Sequence, residues 1–163
     1  MPTLESAQAA QTFTVIKTRV FPARRARVYD AWTQPEMATK WFGPADMYCT
    51  LAEFDLRVGG SYRLEAMPTS EALTNPDLPE ARRRGAVVTG RYIDIVPHEL
   101  LQFTWEPSWN PSEHSTVTVT LRDVDEGTEM TLKHENLRTE ASRQGHNKGW
   151  DDGLDKMQAM LSK

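Results

Sequence analysis

One cysteine, Cys49, stands among 163 residues, so no internal disulfide can form and the fold has to be held by its core. Basic charge is not in excess either. The 19 lysines and arginines against 23 aspartates and glutamates leave a formal net charge of -4, which provides no general attraction to nucleic acid or an anionic bilayer. No apolar run approaches the roughly 18 residues that cross a membrane, and the opening "MPTLESAQAAQ" lacks the basic and apolar stretches of a secretory leader. These absences point to a cytoplasmic protein without a nucleic-acid partner and without membrane insertion. The four histidines, His98, His114, His134 and His146, show no metal-ligand spacing, and neither a glycine-rich phosphate loop nor a nucleophile elbow occurs. No metal and no cofactor are therefore expected. Two basic clusters, Arg24, Arg25, Arg27 and Arg82, Arg83, Arg84, read as solvated surface.

What is present is a period-two signal between two helical ones. Residues 1–11 are small and polar and read as a frayed, disordered tail, so the single domain is expected over 12–163. "TFTVIKTRVF" reads as a strand. Beyond Pro22, Val28, Ala31 and Trp32 recur at helical spacing, Gln34-Pro35 breaks the helix, and a second short helix runs to Trp41. Phe54, Leu56 and Val58 then alternate with polar residues up to Gly59-Gly60, and Tyr62, Leu64 and Ala66 alternate after it, which predicts a hairpin. "PTSEALTNPDLPEARRRG" has no period and reads as a long surface loop. Three more strands are indicated by "AVVTGRYIDIV", "LLQFTW" and "STVTVTLRDV", and a last one by "TEMTLKHENL" after a turn at 125–127. In "AVVTGRYIDIV" the inward face stays open, because Val88 and Tyr92 compete with Ile93 and Ile95.

About seven antiparallel strands with one apolar face need a cover, and the elements left are two short helices after strand 1 and a long C-terminal helix. In that helix Trp150, Leu154, Met157 and Leu161 share one face, yet Gly145, Gly149 and Gly153 interrupt it. Each glycine costs roughly 1 kcal/mol relative to alanine in a helix interior. Two readings stay open: Gly149 and Gly153 let the helix backbone approach the sheet or leave open volume beside Trp150, or Gly145 and Gly149 belong to a loose first turn and Gly153 merely fits close packing.

Five blocks in register carry a resemblance. "FPARRARVYDAWTQPEMATKWFGP", "FDLRVGGSYRLEAM", "GRYIDIVPHELLQFTW", "GTEMTLKHENL" and "GHNKGWDDGLDKM" resemble successive parts of the family named for the activator of heat-shock protein 90 ATPase, within the START-like (SRPBCC) superfamily. The resemblance implies an α+β helix-grip fold, a curved antiparallel sheet wrapped around the C-terminal helix. It also implies a cavity between helix and sheet that holds lipids, sterols, polyketides or other apolar molecules.

His134 shares the phase of Met130 and Leu132 and is expected to face the apolar side. A polar tip there needs a partner. Three roles remain: a histidine hydrogen-bonded within the core, a ligand contact, or an acid-base group working with Tyr62, Glu106 or Asp151. The aromatic residues Trp41, Tyr62, Phe103, Trp105 and Trp150 fall at inward or helix-face positions and suit the lining of a pocket. With Phe54 from the hairpin and Gly153 and Leu154 from the helix, they and His134 form the expected ligand-binding set. Trp109, between Pro107 and Pro111, is expected on a rim loop. The leading functional expectation is a module that binds a small apolar molecule. The alternatives are a cavity enzyme (cyclase, aromatase or hydrolase-like) using His134, and a chaperone-associated protein-binding domain. A homodimer through a strand edge also stays open.

Overall fold

The computed structural model describes residues 11–163, so the tail expected at 1–11 lies, but for Gln11, outside the described residues. Strand β1 (Phe13–Phe21) is followed by α1 (Arg25–Thr33) and the single turn α2 (Pro35–Ala38). Then come β2 (Met47–Phe54) and β3 (Ser61–Pro68), the single turns α3 (Ser70–Leu73) and α4 (Glu80–Arg83), and β4 (Ala86–Val96). Strands β5 (Leu100–Pro107), β6 (Ser115–Val124) and β7 (Gly127–Leu137) lead into the 22-residue helix α5 (Glu140–Leu161). The seven strands form one antiparallel sheet in the order β1-β7-β6-β5-β4-β3-β2. It is the expected α+β, helix-grip-like arrangement: a curled sheet around one long helix.

Strict alternation explains the inner face. Val117, Val119 and Leu121 of β6 are buried, as are Met130, Leu132 and His134 of β7 and Leu101, Phe103 and Trp105 of β5. On β1 the inward phase carries Lys17 and Arg19. Lys17 Nζ meets Asp151 at 2.9 Å and Arg19 Nη1 meets Asp155 at 2.7 Å, so charge at this sheet edge ties it to α5.

Where alternation slips, the expectations slip too. The register of β4 against β5 shifts between Tyr92 and Asp94. Val88 and Tyr92 are buried before the shift, Ile93 is exposed, and Ile95 packs against the core after it. The reading with Val88 and Tyr92 inward is thus correct up to the irregularity, and of the competing pair only Ile95, beyond it, turns to the core. Strand β2 ends at Phe54, so the expected extension through Leu56 and Val58 is wrong; both are exposed. The chain reverses there. Asp55 N–H donates to Ser61 O, Gly60 N–H to Arg57 O, and Gly59, at φ +83°, donates its N–H to Tyr92 O. The segment read as a plain surface loop carries α3 and α4, the first capped by the Thr69 hydroxyl, which accepts from Ala72 N–H at 3.1 Å.

Gly90 admits a close approach of Thr104 and the Tyr62 ring. A Cβ there would lie 2.1 Å from Thr104 O and 2.6 Å from Tyr62 Cε2. The ladder between β4 and β5 is rewired at this point: Arg91 N–H donates to Thr104 Oγ1 at 2.9 Å, and Thr104 O accepts from the Tyr62 hydroxyl at 2.5 Å.

Helix α5 starts at Glu140, capped by the Thr139 hydroxyl accepting from Ser142 N–H at 3.0 Å. Gly145 and Gly149 therefore lie inside the helix rather than in a loose first turn, and a Cβ at either would meet nothing within 4 Å. Gly153 does fit close packing: a Cβ there would stand 3.5 Å from both Trp41 Cε3 and Trp41 O. The helix survives its glycines because Trp150, Leu154, Met157 and Leu161 are all buried, and each contributes roughly 2 kcal/mol against roughly 1 kcal/mol lost per glycine.

Candidate functional site

Between α5, the α1–α2 segment and the inner face of the sheet, aromatic rings converge around a cavity of about 20 Å³. The chain places them there from both ends. Trp32 comes from the buried stripe of α1, where Val28 and Ala31 share its face. Trp41 and Phe42 follow α2, and Trp150 comes from the middle of α5. The sheet side is made by Phe54, Tyr62, Tyr92, Phe103 and Trp105. Rings meet largely edge-on or tilted: Trp32 and Trp41 centroids are 4.7 Å apart at 65°, Tyr62 and Phe103 5.4 Å at 77°, and Trp105 and Trp150 5.1 Å at 47°. Such geometry suits rings whose edges are positive and faces negative.

Six of the nine residues expected to contact a ligand line this cavity: Trp41, Phe54, Tyr62, Phe103, Trp105 and Trp150. Gly153 backs Trp41, and Leu154 is buried in the core without bordering the space. His134 does not border it either. Reasoning from sequence passed over Trp32, Phe42 and Tyr92. Trp32 was legible as an inward helix position, while Tyr92 was obscured by the register shift beside it.

His134 lies behind the Trp105 and Trp150 indoles in a second buried group. The Trp150 indole N–H donates to His134 Nδ1 at 3.0 Å, so the imidazole proton sits on Nε2, 2.8 Å from Ser115 Oγ. The Trp105 indole N–H donates to His146 Nε2 at 3.2 Å, which leaves His146 Nδ1–H to donate to Ser142 O at 2.8 Å. The two imidazole centroids are 4.7 Å apart. Burial, and then the neighbouring His146, hold His134 well below the usual histidine range. Burial also lowers His146, against the pull of the Ser142 carbonyl and Glu113. Both rings are neutral at pH 7.

Glu113 closes this group at the start of α5. It is 1% exposed, accepting from Arg138 N–H at 2.8 Å and from the Ser142 hydroxyl at 2.7 Å. A carboxylate at a helix N-terminus is favoured by the aligned peptide dipoles. Trp109, 49% exposed on its loop, lies over His146 with centroids 5.9 Å apart.

The acid-base partners considered for His134 are elsewhere. Tyr62 donates to Thr104 O, and burial raises its hydroxyl well above the usual phenol range. Glu106 faces His114 at 3.3 Å, and Asp151 faces Lys17. The residue that does meet His134 is His146, and indoles separate the pair from the cavity. No group of three or more His, Cys, Asp or Glu suited to a metal occurs among the described residues, and no helix there is long and apolar enough to cross a membrane.

A wider groove of about 570 Å³ lies outside, bordered by Glu53, Asp55, Arg63, Arg91 and Glu106, and it shares Phe54 and Tyr62 with the inner cavity. The two arginine clusters are engaged locally: Arg25 with Asp123, Arg27 with the carbonyls of Met160 and Lys163 at the end of α5, and Arg82 with Asp46.

The family model described as Activator of Hsp90 ATPase homolog 1-like protein (AHSA1) matches residues 22–162. Among solved structures, a protein from Chromobacterium violaceum is 25% identical with a TM-score of 0.77, covering 92% of this chain and 98% of that one. The AHSA1-like protein from Aeromonas hydrophila is 18% identical with a TM-score of 0.71, covering 92% of each chain. The AHSA1 protein from Silicibacter pomeroyi is 19% identical with a TM-score of 0.71, covering 92% and 98%. At these last two identities the likeness speaks for the fold alone. No curated protein matches the chain in sequence.

Proposed function

We propose a binding function for this chain, which belongs to the family of Activator of Hsp90 ATPase homolog 1-like proteins: its interior takes up a small, mostly apolar molecule between α5 and the sheet. The observation that carries this reading is the convergence of aromatic rings from both helices and sheet on one apolar space. Single-site apolar pockets with few polar groups are the usual form of small-molecule sites. At about 20 Å³ the space holds no more than a water, whereas a benzene-sized guest in a protein core needs roughly 150 Å³. Uptake therefore requires rings to move. Trp41, Trp105 and Trp150 are tied by indole hydrogen bonds, so the yielding wall is Trp32 and Phe42. The way in passes the half-buried Phe54, which borders both the outer groove and the cavity.

Native mass spectrometry of the protein purified from its own cells, followed by denaturation and identification of what is released, tests this. A stoichiometric apolar compound is the expected result. A protein that emerges empty, and whose melting temperature no apolar aromatic probe raises, sinks the reading.

A further inference from the structure

Four of the five tryptophans lie in the interior, and three of their indole N–H groups have protein acceptors. Trp41 donates to Ala31 O at 2.7 Å, Trp105 to His146, and Trp150 to His134. Trp32 is 7% exposed, borders the cavity, and its Nε1 has no hydrogen-bond partner among the described residues. Nine in ten or more buried polar groups are satisfied in native proteins, and an unmet buried donor carries a desolvation penalty. Among the other donors that line this cavity, the Trp41, Trp105 and Trp150 indoles and the Tyr62 hydroxyl each have a protein acceptor. The only other unmet buried side-chain atom among the described residues, Arg82 Nε, does not belong to a residue that lines the cavity.

We propose that the molecule bound in the interior carries a hydrogen-bond acceptor, a carbonyl or ether oxygen on an otherwise apolar body, that accepts from Trp32 Nε1–H. This rests on the binding function proposed above and names the chemistry it selects. A carbonyl or ether brings no donor of its own into the mostly apolar lining, whereas an alcohol or amine would bring one that needs an acceptor there.

The test uses two probes of matched shape, acetophenone and α-methylstyrene, which differ in C=O against C=CH₂. Their dissociation constants are measured on the full chain and on Trp32→Phe. Because the carbonyl's dehydration is common to both proteins, the comparison is the ratio of the two constants. That ratio is expected to favour acetophenone about five- to tenfold less in Trp32→Phe than in the wild type, the loss of one hydrogen bond. In wild-type protein labelled with ¹⁵N-tryptophan, acetophenone should shift the Trp32 indole N–H resonance and α-methylstyrene should not, a readout that needs no variant to fold. An unchanged ratio, or a carbonyl-specific shift at a different indole, overturns the acceptor proposal while leaving interior binding intact. If neither probe binds at saturating concentration, the binding function itself fails and the acceptor with it.

Discussion

Two buried regions adjoin at the Trp105 and Trp150 indoles, and they differ in how their polar atoms are served. On one side His134, His146, Ser115, Ser142 and Glu113 form a group in which donors and acceptors are matched. On the other, rings from α1, α5 and the sheet surround a space with an unmet indole N–H. A fully paired buried network makes one arrangement much better than its neighbours. The histidine side therefore reads as the joint that fixes α5 to the sheet, and the aromatic side as the part free to accept a guest. The residue types alone would suggest the reverse, since histidines invite a catalytic reading and tryptophans a structural one.

Substitutions can break this contrast in order of expected size. Trp150→Ala removes a ring shared by both regions and should cost about 3–5 kcal/mol of unfolding free energy in urea; a loss below about half a kcal/mol would mean the ring is not part of the core. A matched pair is sharper. Trp150→Phe and Trp32→Phe delete the same atoms, but the first leaves His134 Nδ1 without its donor, so it should cost about 1–3 kcal/mol more. Equal losses would erase the distinction between the two sides. Gly153→Leu presses on Trp41 and should cost about 1–3 kcal/mol, whereas Gly153→Ala, whose Cβ meets Trp41 at ordinary contact distance, should be tolerated; denaturation of the two variants side by side separates them.

Acid should weaken the histidine side. Both histidines are harder to protonate when folded, so below the ordinary histidine pKa of about 6.5 the unfolded chain binds more protons. Stability is then full above about pH 6.5 and falls as the pH drops, by at most about 1.4 kcal/mol per pH unit for each histidine. Urea titrations between pH 7.5 and 5.5 read the slope, and His134→Asn should reduce it; an unchanged slope would show that His134 does not resist protonation. The smallest effect runs the other way. Gly149→Ala, inside α5 with open space around the new methyl, should stabilise by about 1 kcal/mol, read as a higher melting temperature.

How much of this was legible in the sequence follows from the range of each signal. Strands β3, β5, β6 and β7 could be assigned an inward face because one face is buried along each, and period two is a local property. It failed where a strand irregularity changed phase, at Tyr92–Asp94, and where a turn borrowed apolar residues, at Leu56 and Val58. His134 was readable as inward-facing, but its neighbour His146 was not readable as its partner, because α5 brings the two rings together only when it crosses the sheet. Glu113 gave no signal, since its loop has no period and its role depends on the start of α5 docking above it.

The sequence by itself determined the order of the seven strands, of the two helices after β1 and of the C-terminal helix, the inward face of β3, β5, β6 and β7, and the concentration of aromatic residues on that face, because these depend on spacing within a few residues. Only the tertiary structure decided which indoles are tied and which is left unmet, and how small the space between them is. Those outcomes depend on ångström-scale distances between side chains far apart in the chain, set by the close approach of Thr104 and Tyr62 at Gly90, by the register shift beside Tyr92, and by the contact of Gly153 with Trp41.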